Sequence, residues 1–92
     1  MAMDQNAIVN LHQQAGEAAA AGDIHKAIDL CTRACEEARR LWQESGEDDL
    51  DAEMFYMLGL KELAMLHYRS NQIAIAERLF DEYNAFRKRL MS

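Results

Sequence analysis

Apolar residues recur along this chain at three- and four-residue intervals, the mark of helices that bury one face. Ile8, Leu11, Ala15 and Ala18 form the first stripe and predict a helix over about residues 5–21. Ile24, Ala27, Ile28, Cys31, Ala34, Cys35 and Ala38 carry a second stripe to Leu41-Trp42. A third runs through Leu50, Met54, Met57, Leu60, Leu63, Ala64 and His67, and a fourth through Ile73, Ala76, Leu79-Phe80, Tyr83, Phe86 and Leu90. No strand-like alternation competes.

Punctuation between the stripes has a local physical reason. Gly22-Asp23 makes the first turn, and the Asp23 carboxylate suits an N-cap because it accepts from free backbone N–H groups. Ser45-Gly46 ends helix two, with Gly46 suited to a left-handed position. Asp48 or Asp49 caps helix three, and Ser70-Asn71 is the last tight turn. The expectation is an all-α chain of four antiparallel helices in two hairpins, about 5–44 and about 50–91, joined by an acidic loop at 45–49 and forming one domain over 1–92.

The two hairpins repeat one another. Leu60-x2-Leu63-Ala64-x2-His67 followed by Ala76-x3-Phe80 parallels Leu11-x2-Gln14-Ala15-x2-Ala18 followed by Ala27-x3-Cys31. These residues resemble the tetratricopeptide repeat, which reads W-x2-L-G-x2-Y, then A-x3-F, then P over 34 residues. Ala15, Ala27, Ala64 and Ala76 stand where small residues let paired helices approach closely. The turns at Gly22 and Asn71 are wider apart than one standard repeat, and Arg39 and Lys88 occupy the places of the terminating proline. A three-helix microtubule-interacting and trafficking type shares the opening hairpin, but Ala76-x3-Phe80 in helix four counts against it. On the face that a repeat's second helix turns toward the following repeat, Ile28, Thr32 and Cys35 of helix two are half apolar and Glu77, Asp81 and Asn84 of helix four are polar, so helix two reads as interior and helix four as a solvated terminal cap.

The resemblance implies a non-enzymatic protein–protein interaction module, with first helices lining a groove. Carried over by position, helix one supplies Val9, His12, Gln13, Gly16, Ala19 and Ala20, and helix three Leu58, Lys61, Glu62, Met65, Tyr68 and Arg69. His12, Gln13, Lys61, Met65, Tyr68 and Arg69 are the expected partner contacts, for a peptide or protein with an apolar anchor and an acidic group. The carboxylate clamp of some members is matched only at Lys61, so a chaperone-tail receptor is not expected. The alternative is a structural or chaperone-like subunit of a homo- or hetero-oligomer.

Composition bounds the remaining classes. Net charge is −6, and Glu44, Glu47, Asp48, Asp49, Asp51 and Glu53 concentrate it with no basic residue among them. Arg87-Lys88-Arg89 is the main basic cluster, placed where cations favour a helix C-terminus. Nucleic-acid binding is therefore not expected. No apolar run suits a membrane span, and Met1-Ala-Met-Asp-Gln-Asn lacks the features of a signal peptide, so the expected location is cytoplasmic. The acidic segment fails as a calcium loop because Met54 stands where the turn needs glycine.

Catalytic residues, metal ligands and cofactors are not expected either. Cys31 and Cys35, one turn apart, read as reduced core residues, with His25 on a different face. No glycine-rich phosphate loop or helical Glu-x-x-His signature occurs. Phe80, Tyr83 and Phe86 read as core. Trp42 is read either as packed on helix three or as an interface anchor.

Overall fold

The computed structural model describes residues 5–91. Four helices follow one another, α1 (Gln5–Ala20), α2 (Ile24–Glu44), α3 (Leu50–Arg69) and α4 (Ile73–Met91), and the described residues contain no strand. Each helix packs against its neighbour in sequence, and α1 also touches α3. Across the other side, Trp42 of α2 meets Phe86 of α4 edge-on at 5.4 Å. The result is a slab of 36 × 31 × 17 Å, with α1 and α3 meeting on one side and α2 and α4 on the other.

The breaks between helices form as their residues dictate. Gly22 (φ 86°) and Gly46 (φ 68°) take left-handed backbone that a side chain would oppose. Asn71 adopts the same region at φ 68°, which asparagine tolerates better than most residues. The Asp23 side chain accepts from the Lys26 amide at 3.2 Å, and Asp49 accepts from the Ala52 amide at 3.0 Å. Asp49 also receives the Gln5 side-chain amide at 3.5 Å, and its own N–H donates to Ser45 Oγ at 2.9 Å. One residue thus ties the end of α2, the start of α3 and the start of α1. Asp49→Ala should lower stability by about 1 kcal/mol, the usual worth of a cap. Urea denaturation checks this; an unchanged midpoint would leave the cap without energetic weight.

The core is built from small side chains. Ala27, Ala34, Ala38, Ala52, Ala64 and Ala76 are fully buried, and the largest fully buried residues are only Ile8 and Cys31. Alanine at these seams brings helix backbones close, so dispersion contacts come from main chain as much as from side chains.

Helix α3 departs from the hydropathy reading over its first two turns. Leu50 and Met54 are 69% and 54% exposed, whereas Glu53 and Tyr56 turn inward. The reason lies on α4. Arg89 donates to the Glu53 carboxylate at 2.6 Å, and Tyr56 meets Phe86 edge-on at 5.2 Å. A cationic and aromatic neighbour accepts a carboxylate and a phenol better than it accepts leucine and methionine. Trp42 is buried edge-on to Phe86, and the Arg89 guanidinium lies 5.2 Å from its ring centre and 4.8 Å from that of Phe86. Its packing partner is therefore chiefly α4. On α4, Tyr83 and Phe86 lean partly buried on the core, Phe80 is partly buried, and Ile73 and Leu90 are exposed. Glu77, Asp81 and Asn84 are all exposed.

Candidate functional site

Two features coincide where α1, α2 and α3 meet: a cleft between α1 and α3, and a cluster of chemically capable side chains at its floor. The cleft is a depression of about 200 Å³ lined by His12, Ala15, Gly16, Ala19, Glu62, Met65, Leu66 and Arg69. A Cβ placed on Gly16 would meet nothing within 4 Å, so the α1 wall is open there. On the far side of His12 and Glu62 a second hollow of about 190 Å³ is bounded by Val9, Phe55 and Leu58. Further along α3, Met65, Tyr68 and Arg69 join Phe80 around a third depression of about 280 Å³. Val9, Leu58, Met65 and Tyr68 are exposed apolar residues on this side.

The six expected contact residues therefore separate. His12, Met65 and Arg69 line the cleft, and Tyr68 lies in the adjoining depression. Gln13 and Lys61 are exposed but line none of these hollows. His12 follows Ile8 by four residues and precedes Ala15 by three, both buried, so its imidazole is drawn toward the core side of α1. Its side chain is 17% exposed.

Beneath the cleft, single ligand atoms of His12, Cys31 and Glu62 lie within 4.8 Å of one another. His12 Nδ1 stands 3.3 Å from Glu62 Oε2. Neither imidazole nitrogen is solvent-accessible, and neither makes an aligned hydrogen bond among the described residues. The contacts are near but not consummated. Cys31 is fully buried; as a thiol it donates to the Gly59 carbonyl oxygen at 3.6 Å. Gly59 is required by this packing, because a Cβ there would fall 2.5 Å from Cys35 Sγ and 3.2 Å from His12 Cε1.

Electrostatics link the four groups. The Cys31 thiol is lowered to about 6, chiefly because the Cys35 thiol can donate to its thiolate, with further help from His12 against the cost of burial. Cys35 is pushed up by the same interaction with Cys31 and by burial. His12 is raised to about 9, first by the Cys31 sulfur and then by the Glu62 carboxylate, against the opposing effect of burial. Since no aligned bond is formed, closeness to sulfur and carboxylate carries that shift. Cys31 and His12 each therefore favour the charged form of the other, a pairing that hydrophobic surroundings tolerate better than either charge alone.

Along its own helix Cys31 has His25 as the sole histidine, and His25 is exposed. The groups that do approach come from α1 and α3, brought in by helix packing. The usable signal was Gly59, a helix-interior glycine opposite the cysteine face.

Comparison with protein-family profiles, with curated proteins and with solved structures yields no match. Among the described residues, no helix is long and apolar enough to cross a membrane.

Proposed function

We propose that this chain is a tetratricopeptide-like protein–protein interaction module whose α1–α3 cleft receives a peptide segment or a partner's helix. The observation that carries the reading is the cleft itself, a hollow walled by small residues on α1 and by Met65 and Arg69 on α3. Alanine and glycine leave room for a bulky anchor. Exposed Met65 and Tyr68 supply adaptable apolar contact, and Arg69 offers bidentate recognition of a carboxylate. The polar outer face of α4 is consistent with a solvated end, which favours a groove binder over a subunit packed through that face.

Gly16→Trp is the sharpest test, because its Cβ points into open space and glycine is a poor helix former. This variant should keep wild-type helicity while its indole fills the cleft and abolishes partner capture. Met65→Ala, Tyr68→Ala and Arg69→Ala together should do the same by removing contacts. Glu77→Ala with Asp81→Ala, on the far helix, should bind normally. Capture by both cleft variants at wild-type level would sink the groove reading and turn attention to the subunit alternative.

A further inference from the structure

We infer that His12, Cys31 and Glu62 form a binding site for a zinc-class divalent cation at the floor of the α1–α3 cleft. Three different helices each deliver one ligand atom, and the three atoms lie within 4.8 Å of one another. Bond lengths of roughly 2.0–2.3 Å to nitrogen, oxygen and sulfur set tetrahedral edges of about 3.3–3.6 Å. The edge from His12 Nδ1 to Glu62 Oε2 already measures 3.3 Å. Neither edge to sulfur exceeds 4.8 Å, so closing it needs at most about 1.5 Å of adjustment. Glu62, 57% exposed at the side chain, has room to close its own edge to sulfur.

Three further observations converge. The imidazole nitrogens are shielded from water and lack an aligned hydrogen-bond partner, which buried polar atoms rarely tolerate. A coordinated cation would satisfy one of them. One thiolate and one carboxylate balance a 2+ charge, so the loaded site is neutral in its half-buried setting. The mixed nitrogen, sulfur and oxygen set suits borderline-soft zinc over magnesium or calcium, which prefer oxygen alone.

The surroundings also behave as a supporting shell. Cys35, one turn from Cys31 on α2, is buried against the same Gly59 whose carbonyl faces Cys31, so it walls the site without belonging to the ligand set. Both His12 and Glu62 also line the cleft, so the fourth coordination position opens toward it. That position takes water or a carboxylate or thiolate from whatever occupies the cleft. The metal site does not depend on the interaction-module reading, because all three ligands come from this chain.

The test is titration of the reduced, full-length protein with cobalt(II) alone, followed by displacement with zinc. The expected result is a sulfur-to-cobalt charge-transfer band with the strong visible absorption of four-coordination, both removed by zinc. Cys31→Ser should eliminate the charge-transfer band, and Cys35→Ser should retain it. His12→Gln and Glu62→Gln should each weaken zinc affinity by at least tenfold in competition with a chelator. Circular dichroism on each variant separates lost ligation from lost folding, and exposed Glu62 makes Glu62→Gln the variant safest for the fold. Absence of the band in wild type, its survival in Cys31→Ser, its loss in folded Cys35→Ser, or wild-type zinc affinity in Glu62→Gln would each overturn the proposed ligand set. Gly16→Trp should still bind zinc while losing partner capture, so failure of one reading remains visible beside the other.

Discussion

Alanine in place of Gly59 should destabilise this protein by about 1–2 kcal/mol, the reverse of what a helix interior ordinarily gives. Exchange of glycine for alanine in a helix gains roughly 0.8–1 kcal/mol through propensity alone. At position 59 the new methyl would arrive 2.5 Å from Cys35 Sγ and 3.2 Å from the His12 ring. Those contacts lie well inside ordinary van der Waals separation, and Cys35 is buried at the seam between α2 and α3. Overpacking of that kind costs about 1–3 kcal/mol, which outweighs the propensity gain. For a domain of this size each kcal/mol moves the melting temperature by roughly 4–8 °C, so the loss is easily read by thermal denaturation. The cause is separable by a second change. In a Cys35→Ala background the offending sulfur is gone, and Gly59→Ala should there become neutral or stabilising. A Gly59→Ala single variant as stable as wild type would mean that the cysteine rotates away at no cost.

Arg89→Ala should cost about 2 kcal/mol although the residue stands on the surface of the last helical turn. Its guanidinium donates to Glu53 at 2.6 Å, and that carboxylate is only 7% exposed. The same group lies 5.2 Å from the Trp42 ring centre and 4.8 Å from that of Phe86. Removal therefore strands a buried negative charge and uncovers two aromatic faces together. Breaking a fully buried pair costs roughly 3–5 kcal/mol; Arg89 is itself half exposed, so water reaches the vacancy and the expected loss is smaller. Glu53→Gln added to Arg89→Ala should recover part of the stability, because a neutral amide tolerates burial better than an uncompensated carboxylate. Arg89→Lys should recover little, since an ammonium lacks the planar group that covers both rings. Chemical denaturation of the four proteins decides it. A loss below about 0.5 kcal/mol for Arg89→Ala would place the pair among weak surface ion pairs.

The local parts of this architecture were readable because they are written locally. Gly46 adopts the left-handed backbone expected of it, and the turns at Gly22 and Asn71 fall where their positions after apolar stripes imply. Asp23 and Asp49 make the capping bonds their spacing suggests. Cys31 and Cys35 are buried, and the four helices follow in the expected order. The phase of α3 near its start was not readable, because Glu53 is buried only by virtue of Arg89, a residue from the far end of the chain. Charge patterning alone assigns such a glutamate to a solvated helix start. For the site, His12, Met65 and Arg69 line one cleft, while Gln13 and Lys61 lie outside its lining. The meeting of His12 with Cys31 and Glu62 had no local signature, since each helix contributes a single member.

Helix α4 is the least buried of the four, with Ala76 its only fully enclosed residue, and it packs chiefly on α3, reaching α2 through Phe86 and Arg89 at Trp42. The cleft and its polar floor are built from α1, α2 and α3. Opening of α4 would cost the Glu53–Arg89 pair and uncover Trp42 and Tyr56, yet would leave the His12 cluster in place. Unfolding of the C-terminal helix would therefore act unevenly: it would dismantle the depression that Phe80 shares with Met65, Tyr68 and Arg69, while the three ligand atoms of His12, Cys31 and Glu62 would keep their own helices.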